Sequence, residues 1–271
     1  MISKHTDIHP KAKIGENVSV GAFTVIEENV EIGDDAWIAP NVTIMNGARI
    51  GKGCRVFPGA VISAVPQDLK FEGEESQVVI GDNTTIRECV TLNRGTKASG
   101  TTRIGANSLL MAYVHIAHDC IVGNNCILSN SVQMAGHVLV EDYAVIGGSC
   151  AIHQFSRIGA HAMVSGGSLI RKDIPPFVKA GREPVVYVGV NSVGLRRRGF
   201  SNETIILIQD IYRILFQKGY NTKDAIAAIE QEIRTTAEKE VILKFIRDSE
   251  RGIIRGITPT KSSMSEAGDD L

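Results

Sequence analysis

The sequence predicts an all-β solenoid that gives way near its C-terminus to a small α-helical domain. Three observations carry that prediction. An aliphatic residue recurs every six positions over most of the chain, two polar inserts break the frame, and from Ser201 the apolar spacing becomes that of amphipathic helices.

The frame begins at Ile8 and passes through Ile14, Val20, Ile26, Ile32, Ile38, Ile44, Ile50, Val56 and Ile62, each β-branched. It resumes at Ile80, Ile86 and Leu92, then runs from Ile104 to Ile170; it fails at Asp68, Glu74 and Ala98 and stops at Pro176. A period of six is neither the 3.6 of a helix nor the 2 of a simple strand. One short strand plus a turn cannot bury anything alone, so stacked coils must bury one another's inward side chains. Four places after each aliphatic residue the side chain is mostly small, as at Thr24, Ala36, Ala48 and Ala60, which suits a corner. Cys54, Cys120, Cys126 and Cys150 fall on that column, where free cysteine packs as a small hydrophobe. Cys89 lies off it, and nothing nearby argues for a nucleophile.

The inserts are residues 63–79 and 93–103. Both are polar and contain glycine, and both are expected to leave the solenoid as loops, where function usually concentrates on a rigid scaffold. The solenoid is expected over residues 1–190. Helices are expected over 191–256, with Ser201 and Thr222 as N-caps, Gly219 and Gly252 as stops, and a third helix across Ala237 to Asp248. The polar run within 257–271, "TPTKSSMSEAGDDL", is expected to be disordered.

Composition excludes several classes. The net charge is −1, so no bulk attraction points to nucleic acid. The first residues hold no apolar run of a signal peptide, and no stretch reaches the roughly 20 apolar residues of a membrane span. Five cysteines without CxxC spacing suit a reduced, cytoplasmic compartment.

Five of the seven histidines lie between 115 and 161. "AYVHIAHDC" sets His115, His118 and Asp119 together, a pattern open to a metal site or to a catalytic base with its helper. Hexapeptides starting at 116, 134 and 152 are one triangular coil of 18 residues apart and read "IAHDCI", "MAGHVL" and "IHQFSR". Regular coils would stack His118, His137 and His153 as a ladder about 5 Å apart.

The runs "LLMAYVHIAHDCIVGNNCILSN", "AGHV", "IGG" and "IHQFSRIGAHAMV" resemble the UDP-N-acetylglucosamine acyltransferases of lipid A biosynthesis. "VPQDLKFEGE", "IRECVTLNRGT" and "GVNSVGLRRRGFS" match further blocks of that family in the same order, over nearly the whole chain. The resemblance implies a left-handed parallel β-helix and transfer of an (R)-3-hydroxyacyl group from acyl carrier protein to the 3-hydroxyl of UDP-N-acetylglucosamine. It implies His118 as general base, since an alcohol needs a positioned base to attack a thioester. Asp119 would orient the imidazole and the backbone N–H at Gly136 would receive the oxyanion.

Asp68 and Lys70 resemble residues contacting sugar and hydroxyacyl group, and His115, His137, His153 and Gln154 resemble the lining of the UDP-sugar cleft. Arg197 matches an arginine near the diphosphate, and the run Arg196–Arg198 could also attract an acidic carrier protein. Acyl length is expected to depend on the surroundings of Gly166. The resemblance further implies a homotrimer with sites between subunits, in which His118 and Asp68 could come from different chains, and no cofactor or metal. Asn93 departs from the family, where histidine is expected. Three alternatives stand beside this reading: a zinc enzyme using His115, His118 and His137, an N-acyltransferase acting on a UDP-sugar amine, and a solenoid scaffold without catalysis.

Overall fold

The computed structural model describes residues 1–256; the expected disordered tail, 257–271, lies outside the described residues. The hexad frame becomes a left-handed parallel β-helix of triangular coils. The first face runs from Asp7–Ile8 to Leu169–Ile170 in nine strands. The second runs from Lys13–Ile14 to Arg157–Ile158 in eight, and the third starts at Ser19–Val20. Most strands have two residues, so a single inward aliphatic residue per strand fills the prism. Ile44, Ile62, Ile86, Leu92, Leu110, Ile116 and Leu128 are all completely buried. Burying each such side chain contributes roughly 1.5–3 kcal/mol.

Register carries through the stack, with a bulge on the first face between Ile62 and Ala64, at the root of the first insert. On the first face Thr91 pairs with His115, His115 with Gln133, Gln133 with Ala151 and Ala151 with Leu169, so these outward residues form one vertical column. The corners turn through a left-handed residue, which Asn, Asp and His tolerate better than most. Asn17, Asn41, Asn83, Asn107 and Asn125 all have φ between 55° and 59°.

Both inserts leave the corner between the first and second faces. Strands Val61–Ala64 and Gln77–Ile80 flank the first, and Thr91–Asn93 and Thr101–Ile104 flank the second. The excursions are therefore shorter than the sequence frame indicated, residues 65–76 and 94–100, because the backbone pairs further into each insert.

Beyond Pro176, where the frame stops, the third face gains Val178–Gly181 and ends in an antiparallel strand, Val186–Val190. Helix α1 (Ser192–Arg197) then starts on the Asn191 cap. It lies inside the expected helical region, but its six residues are too few for a periodic signal that would mark it separately. Helix α2 (Asn202–Gln217) is capped by Ser201, and Gly219 follows it at φ +76°. Helix α3 (Thr222–Glu232) is capped by Asn221 instead of Thr222: the Asn221 amide oxygen accepts the Asp224 N–H, leaving Thr222 as first helical residue. Helix α4 (Ala237–Arg247) ends at Asp248, and Gly252 lies past it, in the segment that bridges back to Asp173. The cap docks through Tyr212, wholly buried, whose hydroxyl donates to the Pro176 carbonyl at 2.6 Å.

Candidate active site

Residues Ala117–Cys120 form the corner that joins His115–Ile116 on the first face to Ile121–Val122 on the second. In a straight strand the neighbours His118 and Asp119 would point apart. Asp119 instead sits at φ +59°, the left-handed turn position, and the corner folds both side chains to one side. His118 Nδ1 and Asp119 Oδ2 are 2.8 Å apart.

Asp119 is buried and almost saturated with donors. Its Oδ1 accepts the Thr96 N–H at 3.0 Å, the Ser99 N–H at 3.3 Å and the Ser99 hydroxyl; its Oδ2 accepts the Thr96 hydroxyl at 2.7 Å besides His118. Burial alone would push this carboxyl up, but the hydrogen bonds from Ser99, His118 and Thr96 outweigh it and bring it down to about 2. An ionised carboxylate only accepts. Nδ1 of His118 therefore carries the proton, and Nε2 presents a lone pair.

That lone pair faces a groove of about 600 Å³ lined by Gln67, His115, His118, Gly136, His153 and Gln154, with Gln133, Leu169 and Arg171 further along the first face. Asp68, carried in by the 65–76 excursion of the same chain, brings Oδ2 to 4.0 Å from His118 Nε2. The distance is too long for a direct hydrogen bond, and a substrate hydroxyl seated beside the pair can reach both atoms at once. Gly136 lies in the next coil, against the imidazole; a Cβ there would meet His118 Cε1 at 2.5 Å. Its N–H has no acceptor among the described residues, whereas the equivalent N–H of Glu16 is taken by Asp34 Oδ1 at 2.8 Å. His115 Nδ1 is 2.7 Å from the Thr91 hydroxyl, and burial holds this ring below the ordinary histidine range, hence neutral.

The expected histidine ladder is staggered. His118, His137 and His153 occupy the third, fourth and second places of their hexapeptides, so they do not stack vertically. His118 lies over Gly136 and meets His137 edge-on at 5.1 Å, while His137 stacks on Phe155 at 4.6 Å and brings Nε2 within 3.8 Å of Asp119. His153 is exposed and bonds the Gln154 carbonyl through Nδ1 at 3.0 Å.

Other expected residues lie elsewhere. Lys70 is exposed and only its backbone N–H touches the group, donating to Asp68 at 3.0 Å. Gly166 is on the corner between third and first faces, beside Gly148, and does not line the groove. Arg197 is exposed on α1, which follows the last strand of the third face. Its neighbour Arg198 lies over the Tyr143 ring at 5.4 Å, on the corner between second and third faces.

Asn93 is buried, and its side-chain N–H donates at 2.8 Å to the Val65 carbonyl at the root of the excursion that bears Asp68. Sequence reasoning did not find Gln67, Gln133 and Arg171, although Gln133 was recoverable from its place one coil above His115. Thr96 and Ser99 carried no signal, because hydroxyl residues are ordinary in polar loops.

The donor atoms of His118, Asp119 and His137 lie within 4.8 Å of one another, a set able to approach a metal; His115, which the zinc reading needed, is outside it. Both Asp119 oxygens already accept hydrogen bonds, and His118 turns Nδ1 to Asp119. The set reads as a hydrogen-bonded relay ending at a free nitrogen.

Comparisons with known proteins agree with this architecture. A family model described as "Udp N-acetylglucosamine O-acyltransferase; Domain 2" matches residues 173–254, and one described as "Bacterial transferase hexapeptide (six repeats)" matches 29–64 and 101–136. An acyl carrier protein-dependent UDP-N-acetylglucosamine O-acyltransferase of Herminiimonas arsenicoxydans is 49% identical over 92% of this chain and 97% of its own length. One from Aliarcobacter butzleri is 48% identical over 93% and 97%. Among solved structures, LpxA from Bacteroides fragilis, a UDP-N-acetylglucosamine acyltransferase, superposes with a TM-score of 0.93 at 55% identity, covering 94% of this chain and 100% of that one.

Proposed function

This chain belongs to the UDP-N-acetylglucosamine O-acyltransferase family, and from that premise we propose how its residues act. It is an acyltransferase that moves an (R)-3-hydroxyacyl group from acyl carrier protein to the 3-hydroxyl of UDP-N-acetylglucosamine, the first step of lipid A biosynthesis. In the reading we propose, the sugar hydroxyl approaches His118 Nε2, which takes its proton as the oxygen attacks the thioester carbonyl. Asp119, kept ionised, stabilises the imidazolium through Nδ1. The tetrahedral oxyanion accepts the open N–H of Gly136. When the C–S bond breaks, the imidazolium returns the proton to the departing thiolate, and imidazole is regenerated. Asp68 holds a hydroxyl of the sugar or acyl chain beside His118 Nε2, and His115, His153 and Gln154 line the nucleotide-sugar end.

The observation that carries this reading is the relay Asp119–His118 ending at a free Nε2 above an unpaired backbone N–H. A homotrimer is the assembly we read for it. The groove is walled by one face and one corner, and Met163 and Leu169 are exposed on the outer faces nearby. Arg197 and Gly166 would then act from a neighbouring copy, Arg197 at the diphosphate and Gly166 at the end of the acyl chain. No described helix is long and apolar enough to cross a membrane, and we place the enzyme in the cytoplasm, where its carrier protein works. The test is an assay of UDP-N-acetylglucosamine with (R)-3-hydroxyacyl carrier proteins of several chain lengths, alongside His118→Ala. Product is expected with at least one donor and a loss of about 10²–10⁴-fold in the variant. No product with any donor would overturn the function, and an undiminished variant would overturn the base.

A further inference from the structure

Asp119 owes its position and its charge to a piece of chain outside the repeat. Below the His118 coil the 94–100 excursion turns inward, and Gly95 permits the tight closure, since a Cβ there would strike the Thr101 backbone at 2.2 Å. Closure brings four donors from two residues onto one carboxylate: the N–H and hydroxyl of Thr96, and the N–H and hydroxyl of Ser99. Thr96 is buried and its hydroxyl also accepts the Ala98 N–H at 3.2 Å, so it is fixed within its own loop. The excursion is itself tied to the one that carries Asp68, through Lys97 N–H to Glu74 Oε1 at 2.9 Å. Among the described residues, every hydrogen bond to the side chain of Asp119, other than that of His118, comes from these two residues.

We infer that Thr96 and Ser99 are positioning residues for the acyl transfer, acting on the base through Asp119. The inference rests on His118 being that base. The two hydroxyls do two things. They fix the carboxylate so that Oδ2 stays in line with His118 Nδ1, which fixes the ring and the aim of Nε2. They also draw charge from the carboxylate, so that it orients the imidazole without holding the proton too tightly for return to the thiolate. A carboxylate stripped of these donors binds the imidazolium proton more strongly and sits less firmly.

Ser99→Ala and Thr96→Val, each compared with wild type, His118→Ala and the conservative Thr96→Ser, test this. Ser99→Ala and Thr96→Val should each lower kcat about tenfold, the size of one hydrogen bond to a charged group. KM for UDP-N-acetylglucosamine should be unchanged, because neither residue lines the groove. The acid limb of kcat/KM should move to higher pH, and Thr96→Ser should restore both kcat and the limb. In an Asp119→Asn background neither substitution should cost anything further, since the residue they act through is already altered. Wild-type kcat and an unmoved limb in Ser99→Ala, with His118→Ala inactive, would overturn the inference and leave the catalytic reading standing. Losses that multiply in the Asp119→Asn background would overturn it too, by showing that the loop acts elsewhere. An active His118→Ala would overturn the reading beneath both. Should Thr96→Val fail to fold, Ser99→Ala, at an exposed position, decides alone.

Discussion

Replacing Gly136 with alanine adds one methyl group at the centre of the relay. The added Cβ would lie 2.5 Å from Cε1 and 2.6 Å from Nε2 of His118, where ordinary contact begins near 3.4 Å. The backbone at this position is not left-handed, so alanine introduces no strain there, and the ring must give way by roughly 0.9 Å. It cannot do so freely. Its Nδ1 is held at 2.8 Å by an Asp119 that four other donor groups immobilise, and a shift of that size stretches this contact beyond hydrogen-bond range. A displacement of about 1 Å at a reacting group costs about 10²-fold, or roughly 2.7 kcal/mol in the barrier. Gly136→Ala should therefore lower kcat/KM by about two orders of magnitude. The melting temperature should fall only modestly, because the entropy that alanine removes from the unfolded chain offsets part of the lost His118–Asp119 hydrogen bond. Steady-state kinetics beside calorimetry separates the two effects. A variant with kcat/KM within twofold of wild type would refute the placement of His118 over Gly136, and a large fall in melting temperature would refute the argument that the cost is local.

Two further outcomes follow from buried polar groups outside the relay. His161 stacks between Tyr143 and Phe177, faces Arg198 and Asp142, and is brought down to about 4, by burial first and then by the Arg198 charge. The unfolded chain takes up this proton near 6.5 and the folded chain only near 4, so stability present at neutral pH is lost as pH falls through that window. After allowance for solvent screening of a partly exposed ring, the loss is about 1–2 kcal/mol. His161→Phe, which keeps the stack, should flatten the fall in melting temperature between pH 7 and pH 4.5, and parallel slopes would count against it. Asn93→Ala removes the 2.8 Å bond to the Val65 carbonyl and should destabilise by about 1–3 kcal/mol. It should also raise KM through the displaced Asp68, and unchanged values of both would show that the 65–76 excursion does not depend on Asn93.

How much of this was legible in the sequence depended on whether a feature is periodic. The inward ladder from Ile8 to Ile170 is, and it correctly put Ile116 and Cys120 in the core with His118 outside. The histidine ladder failed on a finer point of the same arithmetic. Residues 18 apart stack, so His118 belongs with Gly136 and Gln154, and Asp119 with His137 and Phe155; grouping whole hexapeptides concealed that one-residue offset. The offset matters physically. It puts a glycine above the imidazole, where any side chain would displace it, and an aromatic imidazole above the carboxylate, where it shields Asp119 without adding a second anion. Arg197 and Gly166 were expected from motif alone, and a motif does not say which edge of the prism a residue occupies. The helper hydroxyls lay beyond reach for a different reason. An insert has no register, so nothing in "RGTKAS" says that the chain doubles back beneath His118 to deliver Thr96 and Ser99 to Asp119. In the mechanism we propose, the repeat positions His118 as the base, and the interruptions of the repeat supply the groups that hold it ready: Asp68 from one, Thr96 and Ser99 from the other, joined at Lys97 and Glu74.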